Sequence, residues 1–120
     1  MTELSLQARI VLTTAATHDE AARLAGTLVE ERLAACATLI PSVESIYRWE
    51  GQVESATETL ILLKTAADQL AALETRIKEL HSYQVPEFIA LNIESGSHAY
   101  LDWLIGSLKK AEHAPAVSAH

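Results

Sequence analysis

Cysteine is nearly missing from this chain, with one residue, Cys36, in 120. A lone cysteine closes no intramolecular disulfide and leaves no CxxC pair for a structural zinc or a redox couple. Glycine is scarce too. The four glycines form neither GxGxxG nor GxxxxGK, which excludes a phosphate-cradling loop of known type. Nine basic residues stand against sixteen acidic ones, a formal charge of −7. Neutralising a phosphate backbone takes clustered Lys and Arg. The nearest approach is Lys109-Lys110, at an expected helix end where cations suit the dipole. Nucleic acid is therefore not expected as a partner. No apolar run approaches the roughly 20 residues of a membrane span, and no charged-then-apolar leader opens the chain. A cytoplasmic protein without membrane contact is expected. No Ser, Cys or Thr sits in a recognisable nucleophile elbow, so an enzyme is not expected either.

What is present is apolar sequence in short, patterned stretches, 49% of all residues. LQARIVLTTA (6–15) is β-branched and reads as a buried strand. THDE (17–20) is a capping-box pattern with Thr17 at the cap and Glu20 three residues on. Ala21, Leu24, Ala25 and Leu28 then recur at helical spacing, predicting a helix from about Asp19 to Leu33. Residues 37–65 have no helical period and read as two long strands joined at Glu50-Gly51-Gln52, with a bulge or edge position at Pro41. TAADQLAALETRIKEL (65–80) carries the stripe Leu70, Leu73, Ile77 and Leu80, with Thr65 or Asp68 near its start. FIALNI (88–93) reads as the fourth strand, and Ser97 caps a last helix marked by Leu101, Leu104, Ile105 and Leu108. One domain over 1–110 is expected, with AEHAPAVSAH (111–120) a disordered tail.

The order β-α-β-β-α-β-α is the split βαβ, ferredoxin-like pattern of an α+β protein, with an extra C-terminal helix. Right-handed crossovers put both main helices on one face of a four-stranded antiparallel sheet. Yet FIALNI and TLILLK are apolar at successive positions, as in strands covered on both faces. Self-association through the bare face is the economical answer. The long β2–β3 hairpin, with Tyr47 and Trp49, is suited to reach a neighbour.

The chemistry-bearing residues gather in HSYQVPEFIALNI (81–93), where His81, Tyr83 and Glu87 flank Pro86. Imidazole and carboxylate suit Zn²⁺ and Cu²⁺. A zinc site wants at least three protein ligands, so Cys36, another subunit or water would have to complete it. The plainer alternative has His81 capping a helix end, Tyr83 burying its ring at a subunit contact, and Glu87 accepting from backbone or from Lys64. Trp103 reads as packing or as a pocket wall shared with Tyr83 and His81. Cys36 reads as a small buried hydrophobe, and Glu54 and Glu58 as solvent-facing or rim charges.

ERLAACATLIPSVESIYRWEGQ, ETLILLKT, HSYQVPEFIALNI and YLDWL together resemble the divalent-cation tolerance (CutA) family, a likeness running from about Arg9 to Leu108. The resemblance implies a ferredoxin-like subunit, a homotrimer, architectural kinship with PII signalling proteins, and a link to tolerance of copper and other divalent metals. It marks His81 and Glu87 as metal ligands and Lys64, Tyr83, Trp103 and Cys36 as residues of an inter-subunit pocket, with Cu²⁺ or Zn²⁺ as occupant and no obligatory cofactor. Some members carry a further cysteine at the end of the first strand, where this chain has Thr13 or Thr14; Ser82 stands where many have proline. The rivals are a PII-like regulator binding a small anion or a partner protein at the same clefts, and an acylphosphatase-type hydrolase. TTAATHDE, after the first strand, lacks the Arg and Asn that the hydrolase needs.

Overall fold

The structure is a computed structural model that describes residues 3–110; the tail expectation for 111–120 lies outside the described residues. The elements are α1 (Glu3–Gln7), β1 (Ala8–Ala15), α2 (His18–Glu30), β2 (Cys36–Trp49), β3 (Gln52–Ala66), a 3-10 turn (Ala67–Gln69), α3 (Leu70–Leu80), β4 (Ile89–Asn92) and α4 (His98–Gly106). All strands pair antiparallel in the order β2-β3-β1-β4, the ferredoxin-like arrangement.

Side-chain alternation divides each strand between two faces. Val11, Ile61 and Leu63 point to the helical layer and pack with Leu24 and Leu28 of α2 and Leu73 and Ile77 of α3. A second cluster forms where Leu101, Leu104 and Leu108 meet Ala8, Ala35 and Ala66. The opposite face receives no helix. Its rows, read across the register, are Leu91–Ile10–Lys64–Cys36, Ile89–Leu12–Leu62–Thr38 and Thr14–Leu60–Ile40. On that face Ile89 is 48% and Leu91 44% exposed, and Ile40 is open as well.

The hairpin outgrows the sheet. β1 pairs with β3 only as far as Thr59, whereas β2 and β3 stay paired to Trp49↔Gln52, leaving a two-stranded arm. The arm starts at a bulge: Ile40 faces Leu60 and Val43 faces Glu58, so Pro41 and Ser42 together oppose Thr59. Pro41 has no N–H to pair, and Ser42 takes φ 61°. The tip closes with φ 52° at Glu50 and 82° at Gly51, the positive pair of a type I′ turn. Ile46 and Val53 lie exposed on one side of the arm, Tyr47 and Trp49 on the other.

Several boundaries differ from the sequence reading, the fourth strand among them, which keeps only Ile89–Asn92 of 88–93. The first strand begins at Ala8, because residues 3–7 coil into a short helix whose Leu4 packs on the α4 cluster. The first main helix stops at Glu30, where Arg32 at φ 62° turns the chain and sends Leu33 into the core. Thr65 does not start a helix; it remains in β3, buried, and its hydroxyl donates to the Leu33 carbonyl at 2.8 Å. Asp68 falls in the 3-10 turn, and α3 starts without a side-chain cap. Caps at Thr17 and Ser97 form as expected, accepting from the N–H of Glu20 and Tyr100.

Two buried threonines make a paired test. Among the described residues, Thr13 Oγ1 is the buried side-chain polar atom without a hydrogen-bond partner. Thr13→Val, measured by urea unfolding, is expected to be neutral or stabilising. Thr65→Val, which deprives the Leu33 carbonyl of this donor, is expected to cost about 1–3 kcal/mol.

Candidate functional site

The end of α3 delivers the 81–88 segment across the C-terminal end of β1, where three elements hold it. His81 turns its ring inward, its side chain fully buried, and places Nε2 2.7 Å from the Thr14 carbonyl of β1. The Tyr83 N–H donates to His81 Nδ1 at 3.0 Å. Ser82 donates twice to Glu20 of α2, from its N–H at 2.9 Å and its hydroxyl at 3.0 Å. The Tyr83 hydroxyl donates to Glu58 of β3 at 2.5 Å, its ring lying 4.6 Å from that of His81. Glu20 thus leaves the capping box half-made: its N–H uses Thr17, but its carboxylate serves Ser82 instead of returning to the cap.

These contacts set the electrostatics. Burial pushes the Glu20 carboxyl up, but the Ser82 hydrogen bonds and the nearby His81 outweigh it and hold the group below the usual carboxylate range. Burial, then the bonded and charged Glu58, drives the Tyr83 phenol well above its ordinary value, so it stays a donor. Glu87 is open at the surface, yet partial loss of solvent, followed by repulsion from Glu58, raises its carboxyl.

The remaining candidates lie elsewhere. Lys64 sits six residues from Glu58 along β3, roughly 20 Å at the usual strand rise. It donates to Thr38 Oγ1 at 2.7 Å and approaches Cys36 Sγ at 3.5 Å, with the Tyr100 hydroxyl 3.9 Å from the same sulfur. Lys64 is therefore no partner for Glu87, and Cys36 is half-buried beside a cation instead of sealed in the core. Trp103 stands exposed beside Tyr100, ring centroids 5.4 Å apart. It walls an open groove of about 760 Å³ between α2 and the edge of β2, also lined by Ala25, Arg32 and Cys36, with no part of the His81 segment. The expected single pocket is thus two polar groups at opposite ends of one open sheet face. Glu58, expected at the rim, is buried beneath Tyr83. Its signal was its place at i−2 and i−4 to Leu60 and Leu62, a carboxylate on an apolar stripe. Glu20 and Ser82 carried no signal beyond the cap.

The donors do not fit a metal ion held within one chain. Ligation by imidazole takes a ring lone pair, and both His81 nitrogens are committed, to Thr14 and Tyr83. Among the described residues, no group of three His, Cys, Asp or Glu is placed to hold a metal.

A one-sided ferredoxin-like sheet, a projecting hairpin arm and a clamped α3–β4 corner define an α+β protein with one apolar sheet face left open. The profile of the CutA1 divalent ion tolerance proteins matches residues 9–107, and the chain belongs to that family. It is 47% identical over 95 residues to the divalent-cation tolerance protein CutA of Thermus thermophilus, covering 79% of this chain and 92% of that one. A chloroplastic CutA 1 of Oryza sativa is 39% identical over 110 residues; the match takes in 92% of this chain and 62% of the rice relative's length. Among solved structures, rice CutA1 superposes with TM-score 0.86 at 39% identity, covering 90% and 99% of the two chains. The Thermus thermophilus protein gives 0.83 at 44%, covering 85% and 99%. A CutA of Archaeoglobus fulgidus described as periplasmic gives 0.82 at 35%, covering 85% and 99%.

Glu87 supplies a test with a definite sign. Its folded value lies above its unfolded one, so folding disfavours the ionised form and stability falls as pH rises through both values. Glu87→Gln is expected to unfold at higher urea than the parent at pH 7, with the gap closing below about pH 4, where the unfolded carboxyl is protonated.

Proposed function

We propose that the protein acts in the response to divalent metal ions, as a non-enzymatic homotrimer of ferredoxin-like subunits that binds Cu²⁺ or Zn²⁺ weakly. The observation that carries this reading is the family match over residues 9–107, whose relatives bear the name of divalent-cation tolerance. The open apolar face supports assembly: Ile40, Ile89 and Leu91 need cover that one chain does not supply. The arm supports it too, since an isolated two-stranded ribbon is marginal in water.

Within one chain Glu87 is the accessible donor of the clamped corner, and further donors come from another copy or from water. Action is by binding, without covalent chemistry. A cytoplasmic setting remains the reading of the sequence; the relatives' own names range from chloroplastic to periplasmic. No described helix is long and apolar enough to cross a membrane.

Calorimetric titration with Cu²⁺ and Zn²⁺ tests the metal reading. Binding is expected for the parent chain and weakened several-fold in Glu87→Ala. A flat parent isotherm, or identical isotherms for parent and variant, contradicts it.

A further inference from the structure

The groove between α2 and the edge of β2 has a floor of small residues. One face of α2 supplies Ala25 and Gly26, and the chain entering β2 supplies Ala34 and Ala37, leaving about 760 Å³ open, within the size range of small-ligand sites. A side chain at Gly26 would meet nothing within 4 Å. Trp103, 47% exposed on α4, stands beside this floor as a flat apolar wall.

Two opposite charges border the same space. Glu30 ends α2 and Arg32 follows two residues later, both lining the groove. Among the described residues neither belongs to an ion pair, whereas Glu31 between them is taken by Arg76 at 2.9 Å. Arg32 is firmly placed. It takes φ 62°, a left-handed conformation uncommon outside glycine. Its N–H donates to the Val29 carbonyl at 3.0 Å, and its own carbonyl accepts from the Lys109 N–H at 3.1 Å. One guanidinium nitrogen reaches the Ser107 carbonyl at 3.5 Å, which leaves the other donors of the fork to the groove.

From this geometry we infer that the groove is a binding site for a free α-amino acid with a bulky apolar side chain. The carboxylate pairs with Arg32, the ammonium pairs with Glu30, and the side chain lies on the Ala25–Gly26 floor against Trp103. A zwitterion answers both charges at once, whereas a simple anion would face Glu30 and a simple cation would face Arg32. The groove contains neither His81 nor Glu87, so the inference stands apart from the metal reading. It shares only Cys36 with the rows of the open face, so assembly through that face does not require it.

The test is a nuclear magnetic resonance titration of the full chain with L-leucine, L-phenylalanine and L-tryptophan. At least one is expected to bind saturably with Kd below about 1 mM, moving the Gly26 and Ala37 amides and the Trp103 indole N–H together. The amide and N-acetyl derivatives of that amino acid each lack one charge and are expected to bind roughly ten-fold more weakly. Arg32→Gln should weaken the free amino acid to the same degree and leave the amide derivative unchanged. Gly26→Leu fills the floor at a position with open space and should abolish binding. Failure of all three amino acids to saturate, shifts confined to residues outside the groove, derivatives that bind as tightly as the free amino acid, or undiminished binding to Arg32→Gln or to a folded Gly26→Leu overturns the site. If Gly26→Leu does not fold, the derivatives on the parent chain decide.

Discussion

A sheet that is apolar on both faces but covered on one governs this molecule. α2 and α3 seal the side carrying Val11, Ile61 and Leu63. Ile10, Leu12, Leu60, Leu62, Ile89 and Leu91 are left on the other, in register across three strands. Burial of such surface returns about 25 cal/mol per Å², so an uncovered face of this kind is unrealised stabilisation. The arm repeats the same condition: beyond the Pro41–Ser42 bulge it has no third strand, and its apolar side chains point both ways.

The polar chemistry is arranged around that open face. At one end, Lys64, Thr38, Cys36 and Tyr100 make a small bonded group. At the other, Tyr83 reaches over the end of β1 to Glu58 and shields a carboxylate that the apolar stripe could not tolerate unpaired. His81 and Glu20 hold the backbone that carries Tyr83. The corner is therefore first a clamp joining α3 to β1, α2 and β3, and it offers Glu87 outward from that clamp.

Much of the fold was legible because its signals are local or periodic. The 3.6-residue stripes of α2 and α3, the Thr17 and Ser97 caps, the Gly51 turn and the Pro41 bulge all appear where residue chemistry requires them. The boundaries that slipped depend on tertiary contacts: Leu4 docking on α4, Arg32 turning the chain, Thr65 bonding Leu33 across the core. The site was only partly legible. His81, Tyr83 and Glu87 were visible as a constellation, but their partners Thr14, Glu20 and Glu58 lie 25 to 67 residues away along the chain. Nor could spacing reveal that Lys64 and Cys36 sit at the far end of the sheet, because that follows from strand register.

Other copies of the chain are proposed to cover the open face. Sedimentation equilibrium at micromolar concentration tests it most directly. The expected mass is that of three chains, reduced to that of one by Leu91→Asp, which places a charge on the exposed apolar surface of the edge strand β4. A single-chain mass for the unmodified protein would contradict it.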